Sequence, residues 1–345
     1  MPPTNELVDL PRYNPARTYD WNYQHAPEPV EAEIAPVLGA WRFCGLPVDS
    51  PLGVPAGPLL NGRWVLYYAS LGFDVLTYKT VRRTERACYA MPNLKPVAVA
   101  DGLSEPTTSV PTAEAMSGSW AVSFGMPSQP PDVWRADVEQ TRRRLAPGKV
   151  LSVSVVATVG DDDSLDVMAD DYAQCARWAV EAGADAVETN FSCPNVSSCD
   201  GQLYQQPDAV AVVAARVREA IGRTPYLIKV GRVAEAEDAE RLLEAVQGKA
   251  DALAMTNSIA AQVRDGDGTL LFDGARRGIC GAATRTASTE QVALFARIAA
   301  ARGYDVEFVG VGGAATAADV RDYLAAGAHS VHLATAAMVD PTVAI

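Results

Sequence analysis

The segment 188-ETNFSCPN-195 places a cysteine between two asparagines, directly after a run that predicts a buried strand. Cys193 could serve there as a nucleophile, as a base or as an inert apolar filler. A thiolate takes a proton near neutral pH when its surroundings lower its pKa. The three histidines lie in the N-terminal region and beside the last apolar run. Cys193 is therefore the best titratable candidate.

Two lysines, Lys79 and Lys229, each stand at the end of an apolar run. A buried ammonium group is costly unless it meets an anion or a carbonyl oxygen. We therefore expect a bound group with negative charge beside these lysines. A structural salt bridge with a nearby Asp or Glu is the alternative.

Amide and hydroxyl side chains also follow the apolar runs, at Asn190, Asn195, Asn257 and Ser258. Each asparagine can both donate and accept hydrogen bonds, which suits a flat ligand with alternating N–H and C=O edges. The alternative is that they cap loops through Asx turns, above all Asn195, which follows a proline.

Adjacent glycines, Gly312 and Gly313, precede a predicted helix with Thr316 as a possible N-cap. Backbone N–H groups at such a helix start suit a phosphate. The segment 334-ATAA-337 after the last apolar run offers further N–H groups and the Thr335 hydroxyl. The alternative is that the glycines only form tight turns.

Eight short apolar runs must position these side chains. They span residues 53–57, 75–79, 150–157, 185–190, 226–230, 251–255, 307–311 and 330–334. Helical periods separate most of them, clearest at 168–184, 208–222, 234–248 and 289–303. Strands that alternate with helices pair in parallel, and eight such units predict an α/β fold of the (β/α)8 barrel type. An open doubly wound sheet is the alternative, but no G-x-G-x-x-G follows the first run.

The chain is predicted to hold one domain, with an extended arm over residues 1–40 and the barrel over 41–345. A long insertion, roughly residues 81 to 148, follows the second strand and is expected to be functional. Within it we expect loop character for residues 120–134, and a second loop for residues 259–288.

A formal net charge of -13 argues against binding to nucleic-acid backbones. No apolar run approaches the roughly 20 residues of a membrane span, and the N-terminal residues lack a signal pattern. We expect a cytoplasmic protein without membrane contact. The six scattered cysteines indicate free thiols, and with only three histidines no metal site is expected.

The motifs together resemble the dihydroorotate dehydrogenase family, in its soluble branch with a cysteine base. NFSCPN is the strongest of them; RFCGLPVDSPLGVPAGP, TYKT, IKV, TNSI, RGICGAAT, GVGG and LATA follow the family's order over about residues 42 to 340. The resemblance implies a barrel that holds FMN at its mouth. The residues it assigns to the cofactor are Ala56, Gly57, Lys79, Thr80, Asn190, Lys229, Thr256, Gly281, Gly312, Gly313, Ala334 and Thr335.

The resemblance also implies a reaction. A dihydropyrimidine stacks on the flavin, Cys193 removes one ring proton as the base, and a hydride passes from the neighbouring ring carbon to the flavin. The residues it assigns to the substrate are Lys79, Ser123, Phe124, Gly125, Met126, Asn190, Asn195, Asn257 and Ser258. It further implies a separate electron acceptor and a homodimer.

Three features depart from the family's pattern. Val122 stands where the family has an asparagine that holds the substrate. A lost amide would leave part of an orotate-like ligand unpaired, at about 1–3 kcal/mol. Cys199 stands where a glycine–lysine step is usual, and the last residues contain no long final helix.

The expected function is therefore oxidation of dihydroorotate or a similar dihydropyrimidine. Because of Val122, the alternative is a flavin-dependent dehydrogenase or ene-reductase on another ring, of the dihydrouracil type or a secondary-metabolite precursor. A tRNA dihydrouridine synthase shares an Asn-x-x-Cys-Pro segment, but Ser192 and the acidic charge oppose it. A flavin-binding protein without turnover is opposed by the retained Cys193.

Overall fold

The computed structural model describes residues 10–99, 102–103, 109–116, 118–158, 160, 164–192 and 199–345. In chain order the strands are β1 (Trp41–Phe43), β2 (Leu46–Val48), β3 (Leu52–Val54), β4 (Val75–Val81), β5 (Leu94–Pro96), β6 (Ser109–Pro111), β7 (Ser119–Val122), β8 (Val150–Val155), β9 (Ala186–Asn190), β10 (Tyr226–Lys229), β11 (Ala252–Met255), β12 (Ile259–Arg264), β13 (Arg277–Gly281), β14 (Glu307–Val311) and β15 (Ser330–His332). The α-helices are α1 (Tyr19–Gln24), α2 (Gly62–Ser70), α3 (Pro131–Arg144), α4 (Leu165–Glu181), α5 (Pro207–Ile221), α6 (Ala236–Val246), α7 (Arg285–Arg302), α8 (Ala317–Ala325) and α9 (Thr335–Val339).

Eight strands close into a barrel in the order β3-β4-β8-β9-β10-β11-β14-β15, and every neighbouring pair is parallel. Each overlaps one of the eight predicted runs, and α4, α5, α6 and α7 overlap the four predicted helices. The predicted (β/α)8 barrel is confirmed.

Alternation along the strands divides the core in two. Residues such as Leu151 and Val153 of β8 point outward and pack in the large core beneath the helices. Their neighbour Val150 points inward and joins a separate cluster inside the barrel. Because both faces of these strands are buried, their sequences are the continuous apolar runs described above.

A hairpin closes the amino end of the barrel. β1 and β2 pair antiparallel, and the hairpin carries Phe43 and Val48 into the interior cluster. Phe43 is fully buried and stacks on His332 of the last barrel strand, with ring centroids 5.9 Å apart. The opposite end, where the strands end, is the rim that carries the polar side chains.

The loop character expected for residues 120–134 and 259–288 is confirmed for 123–130 and most of 265–276 but is wrong for the rest. Strands β7, β12 and β13 arise from these residues, and α3 begins at Pro131. These three strands join β5 and β6 in a five-stranded sheet of order β5-β7-β13-β12-β6. In β12, buried residues alternate with more exposed ones and pack in an apolar cluster of their own.

The N-terminal segment packs on the rest of the molecule through aromatic side chains. Tyr13 and Tyr19 are buried, and both rings contact Phe124 at centroid distances of 5.9 and 6.0 Å. The helix α1 begins after Thr18, whose side chain accepts a hydrogen bond from Trp21 N. The segment thus braces the residues that follow β7.

The predicted N-cap at Thr316 is confirmed and is one half of a capping box. Thr316 Oγ1 accepts from Asp319 N at 3.2 Å, and Asp319 Oδ2 accepts from Thr316 N at 3.0 Å. These bonds satisfy N–H groups that otherwise have no partner at a helix start.

Replacing the cap should destabilise the fold measurably. We expect Thr316→Ala to lower the free energy of unfolding by about 1 kcal/mol, because the Asp319 N–H loses its acceptor. Thr316→Ser keeps the hydroxyl and is the matched control. Urea unfolding of the three proteins measures the difference. Equal midpoints for the alanine and serine variants would show that the capping bond contributes nothing.

Candidate active site

A cavity of about 140 Å³ lies between the carboxyl ends of the barrel strands and the five-stranded sheet. Its lining combines backbone-rich loops of the barrel with apolar side chains of the sheet. Closure of a parallel barrel brings all of its strand ends to one rim, so residues remote in sequence meet here.

One side of the cavity holds six of the residues predicted to contact the cofactor. They come from the ends of β3, β4, β9 and β10 and are Ala56, Gly57, Lys79, Thr80, Asn190 and Lys229. Both lysines are nearly inaccessible, with 7% and 5% of their surface exposed. The register pairs Lys229 with Asn190 across adjacent strands, which sets their side chains next to each other.

The other side holds five more, contributed by β13, β14 and the chain after β15. They are Gly281, Gly312, Gly313, Ala334 and Thr335. Gly313 has a φ of +71°, and an added Cβ would meet Gly281 O at 2.6 Å. Only glycine therefore fits this crossing of two backbones.

The sequence predicted an anion site at these glycines and the helix start that follows them, but N–H groups at the start of α8 are already bonded. At the start of α8, Ala315 N and Thr316 N both donate to Asp319 Oδ2 at 3.0 Å. Asp319 also pairs with Arg285. The first turn of α8 therefore already has a carboxylate on these two N–H groups, which are not free for an incoming anion.

Thr256 differs from the other residues predicted to contact the cofactor, because it does not line the cavity. It is fully buried, and its backbone N–H donates to Val311 O at 2.6 Å and to Ser288 Oγ at 3.1 Å. Its hydroxyl donates to Gln291 Oε1 at 3.3 Å. Its contacts support the strand ends from beneath.

The amides converge on Ser192, the residue directly before Cys193. Asn190 Oδ1 accepts from Ser192 N at 3.1 Å, and Asn257 Nδ2 donates to Ser192 O. Asn190 Nδ2 points at Met126 Sδ, 3.6 Å away. The Asn190 bond is the Asx turn weighed as an alternative, yet its side chain also lines the cavity together with Asn257 and Ser258.

Cys193 and Asn195 lie outside the described residues. Of the described thiols, Cys280 lines the cavity, and burial raises its pKa to about 12 against a smaller lowering by Lys229. Burial likewise raises the pKa of Cys88 to about 11, although the charge of Lys79 lowers it to a smaller extent. Both thiols are therefore protonated at neutral pH.

The histidines are engaged elsewhere. His25 stacks on Trp21 with centroids 4.1 Å apart, and His329 Nδ1 accepts from a backbone N–H at 3.1 Å. Burial, and to a smaller extent Lys229, lowers the pKa of His332 to about 3, so its ring is neutral. None of the three lines the cavity.

The segment predicted to hold the substrate follows β7 and is clamped from several directions. Phe124, Gly125 and Met126 line the cavity, as does Val122. Ser123 is not among the lining residues, because its hydroxyl accepts from Arg277 Nε at 2.8 Å.

The sequence interpretation missed several apolar lining residues, among them Leu94, Trp120, Cys280 and Met338. Trp120 could have been found, because it stands two residues before Val122 and therefore on the same face of a strand. Cys280 reaches the cavity because the register pairs it with Trp120, a long-range fact that no local pattern encodes.

The described residues contain neither a membrane-spanning helix nor a metal-binding cluster. No helix there is long and apolar enough to cross a membrane. Within the same residues, no group of three or more His, Cys, Asp or Glu side chains could hold a metal ion.

Comparison with known proteins adds a family. The profile of the family described as dihydroorotate dehydrogenase matches residues 40–344. A dihydroorotate dehydrogenase of Dictyostelium discoideum is 33% identical over 320 residues, which cover 88% of this chain and 85% of that protein. The catalytic subunit of a dihydroorotate dehydrogenase B (NAD(+)) of Desulforudis audaxviator is 32% identical over 175 residues, 50% of this chain and 54% of that protein.

A solved structure shares the fold. The crystal structure of the Eimeria tenella DHODH in complex with ferulenol aligns with a TM-score of 0.69 at 18% identity, over 88% of this chain and 81% of that one.

Two glycines at the cavity should respond differently to alanine. An added Cβ at Gly57 meets no protein atom within 4 Å, whereas at Gly313 it collides with backbone. We expect Gly57→Ala to leave the unfolding midpoint of the ligand-free protein unchanged but to weaken FMN binding roughly tenfold, as overpacking against a ligand costs about 1–3 kcal/mol.

Gly313→Ala should instead lower the stability of the ligand-free protein, by roughly 1–3 kcal/mol. Thermal unfolding without ligand and fluorescence titration with FMN separate the two effects. A destabilised Gly57→Ala variant, or one that binds FMN like the wild type, would contradict the assignment of Gly57 to the ligand.

Proposed function

The chain belongs to the dihydroorotate dehydrogenase family, and from that premise we propose that it oxidises dihydroorotate to orotate with FMN in the cavity at the barrel rim. The observation that carries the proposal is the convergence of Lys79, Lys229, Asn190 and Asn257 on one cavity whose far end is rich in glycine. A flat ring with a phosphate at one end matches that distribution of charge and hydrogen-bonding groups.

The family is flavin-dependent, and the residues of this chain fit FMN in particular. Gly312, Gly313, Ala334 and Thr335 would hold one phosphate in the loops before α8 and α9. At the other side, the buried Lys229 would face the electron-rich end of the flavin, where a positive charge stabilises the reduced anion. When bound, the flavin supplies the hydride acceptor.

The substrate would be held by side chains that both donate and accept. Asn190, Asn257 and Ser258 line the cavity beside the lysines. Asn195 would be a further member of this group of substrate-binding side chains. Lys79 lines the cavity beside these side chains and would face the substrate carboxylate.

Proton removal is assigned to Cys193. Its thiolate takes a proton from one ring carbon, and the hydride leaves the neighbouring carbon, so the ring gains a double bond and the thiol becomes neutral. Support comes from Ser192, which Asn190 and Asn257 hold from both sides, so that the chain enters the cysteine segment in a set direction. The high pKa values of Cys280 and Cys88 leave neither as a competing base.

We further propose that a separate electron acceptor reoxidises the flavin and that the protein works as a homodimer, as the sequence resemblance implies.

A related ring substrate is the second candidate, and Val122 favours it. Val122 lines the cavity and pairs across the sheet with Leu94 and Gly278, so this wall offers no amide. A ligand that needs an amide there loses about 1–3 kcal/mol. A ring without a polar group at that point would lose nothing.

Anaerobic mixing distinguishes the two candidates. We expect dihydroorotate to bleach the visible flavin absorbance within one turnover, and dihydrouracil, which lacks the carboxylate, to do so far more slowly. Val122→Asn should lower the KM for dihydroorotate roughly tenfold. Absence of bleaching by dihydroorotate, with rapid bleaching by dihydrouracil, would reject the first candidate in favour of the second.

The assigned base is tested by two cysteine variants. We expect Cys193→Ala to lower the rate of flavin reduction about 10²–10⁴-fold, the usual contribution of a positioned base. Cys88→Ser is the matched control, because Cys88 does not line the cavity and burial holds its pKa at about 11. Stopped-flow absorbance measures both rates. If Cys193→Ala reduced the flavin as fast as the control, another group would have to be the base.

A further inference from the structure

Among the polar side chains inside the barrel, four have polar atoms without a partner in the described residues. Thr77, Ser152, Glu188 and His332 belong to β4, β8, β9 and β15. Each is almost fully buried, with Glu188 1% and His332 2% exposed. In β4, β8 and β9 they stand two residues from an apolar side chain of the interior cluster, so they point inward as well.

These side chains have polar atoms without a partner. Thr77 Oγ1, Ser152 Oγ, Glu188 Oε1 and both ring nitrogens of His332 make no hydrogen bond to any residue that the structure describes. Leaving such a group unpaired costs about 1–3 kcal/mol. Buried polar groups of this kind are satisfied by enclosed water molecules, each of which makes about three hydrogen bonds. The barrel interior therefore fits a small cluster of ordered water.

Glu188 stands out among the buried acids of the described residues. Asp74 pairs with Lys149, Asp171 with Arg83 and Asp319 with Arg285. No described ion pair includes Glu188. An uncompensated carboxylate at this depth is far costlier than an unpaired hydroxyl. A positive charge nearby would offset this cost.

Lys229 is the cation that the strand register brings next to Glu188. The register pairs Glu188 with Leu227 and Asn190 with Lys229, so Lys229 lies on the adjacent strand, on the same face and two residues nearer the cavity. No described ion pair includes Lys229 either. Lys79 lies two strands away, on β4. His332 is neutral and cannot balance the carboxylate.

We propose that Glu188 is a positioning residue for the cofactor site: through water enclosed in the barrel, its carboxylate balances and orients the Lys229 ammonium at the cavity floor. Lys229 lines the cavity and Glu188 does not, so Glu188 acts only through Lys229. The inference rests on the proposed function, because bound flavin reports the charge at that floor.

The reduction potential of the flavin measures this charge directly. Glu188→Gln keeps the size of the side chain but removes its charge, so the positive charge of Lys229 is no longer offset. Positive charge near the flavin stabilises its reduced anion. We therefore expect the midpoint potential of the holoenzyme to rise. When the reference dye is held at a fixed ratio of its reduced to its oxidised form, the ratio of reduced to oxidised flavin should increase roughly tenfold.

Ser152→Ala is the matched control. It removes an unpartnered polar atom from the same interior without changing any charge. Its midpoint potential should equal that of the wild type. An unchanged potential in Glu188→Gln overturns the proposal, and so does a shift in Ser152→Ala as large as that in Glu188→Gln, since packing rather than charge would then be responsible.

The wild-type protein provides a test that needs no variant. A high-resolution crystal structure should show ordered water linking Glu188 Oε1 to Lys229 Nζ, and a dry interior that separates them overturns the proposal. This result decides the matter if Glu188→Gln does not fold. If the purified protein binds no flavin, the proposed function fails, whereas the water between the two side chains still tests the role of Glu188.

Discussion

Closure of eight parallel strands is the constraint on which the site depends. In a parallel barrel every strand ends at the same rim, and no edge strand is left with unpaired backbone groups. Gly57 after the first barrel strand and Thr335 after the last therefore line one cavity, although almost the whole barrel sequence separates them. The contact of Gly313 joins this rim to the five-stranded sheet, because an added Cβ would collide with Gly281 O at the end of β13.

Because the closed barrel excludes its interior from bulk water, burying polar groups there costs free energy. This chain nevertheless has several polar side chains in the interior. Glu188, His332 and Lys229 are all at least nine-tenths buried, and Lys229 also lines the cavity. A core chosen for stability alone would replace them with apolar residues, since buried charges seldom stabilise a fold. Their cost is understandable if they set the electrostatic potential at the cavity floor, where a bound flavin changes its charge during the reaction.

Local patterns predicted the barrel well because each strand and helix has its own apolar period. They failed for the five-stranded sheet, whose strands are as short as three residues and whose partners, such as Val122 and Gly278, are far apart in sequence. The site shows the same division. Lys79 and Asn190 could be predicted from their positions at strand ends. Cys280 reaches the cavity only through the sheet register, and the burial of Thr256 has no sequence signal.

The two halves of the cavity have different physical tasks. The barrel half presents charges, amides and backbone, which are the groups to which the proposed function assigns flavin binding and proton removal. The sheet half presents Leu94, Trp120 and Val122, which exclude water and select the shape and polarity of the ring. A single change in the sheet half, such as the valine at position 122, would alter which ring fits without changing the polar residues of the barrel half. Membership in the family therefore constrains the chemistry of this protein more tightly than it constrains the substrate.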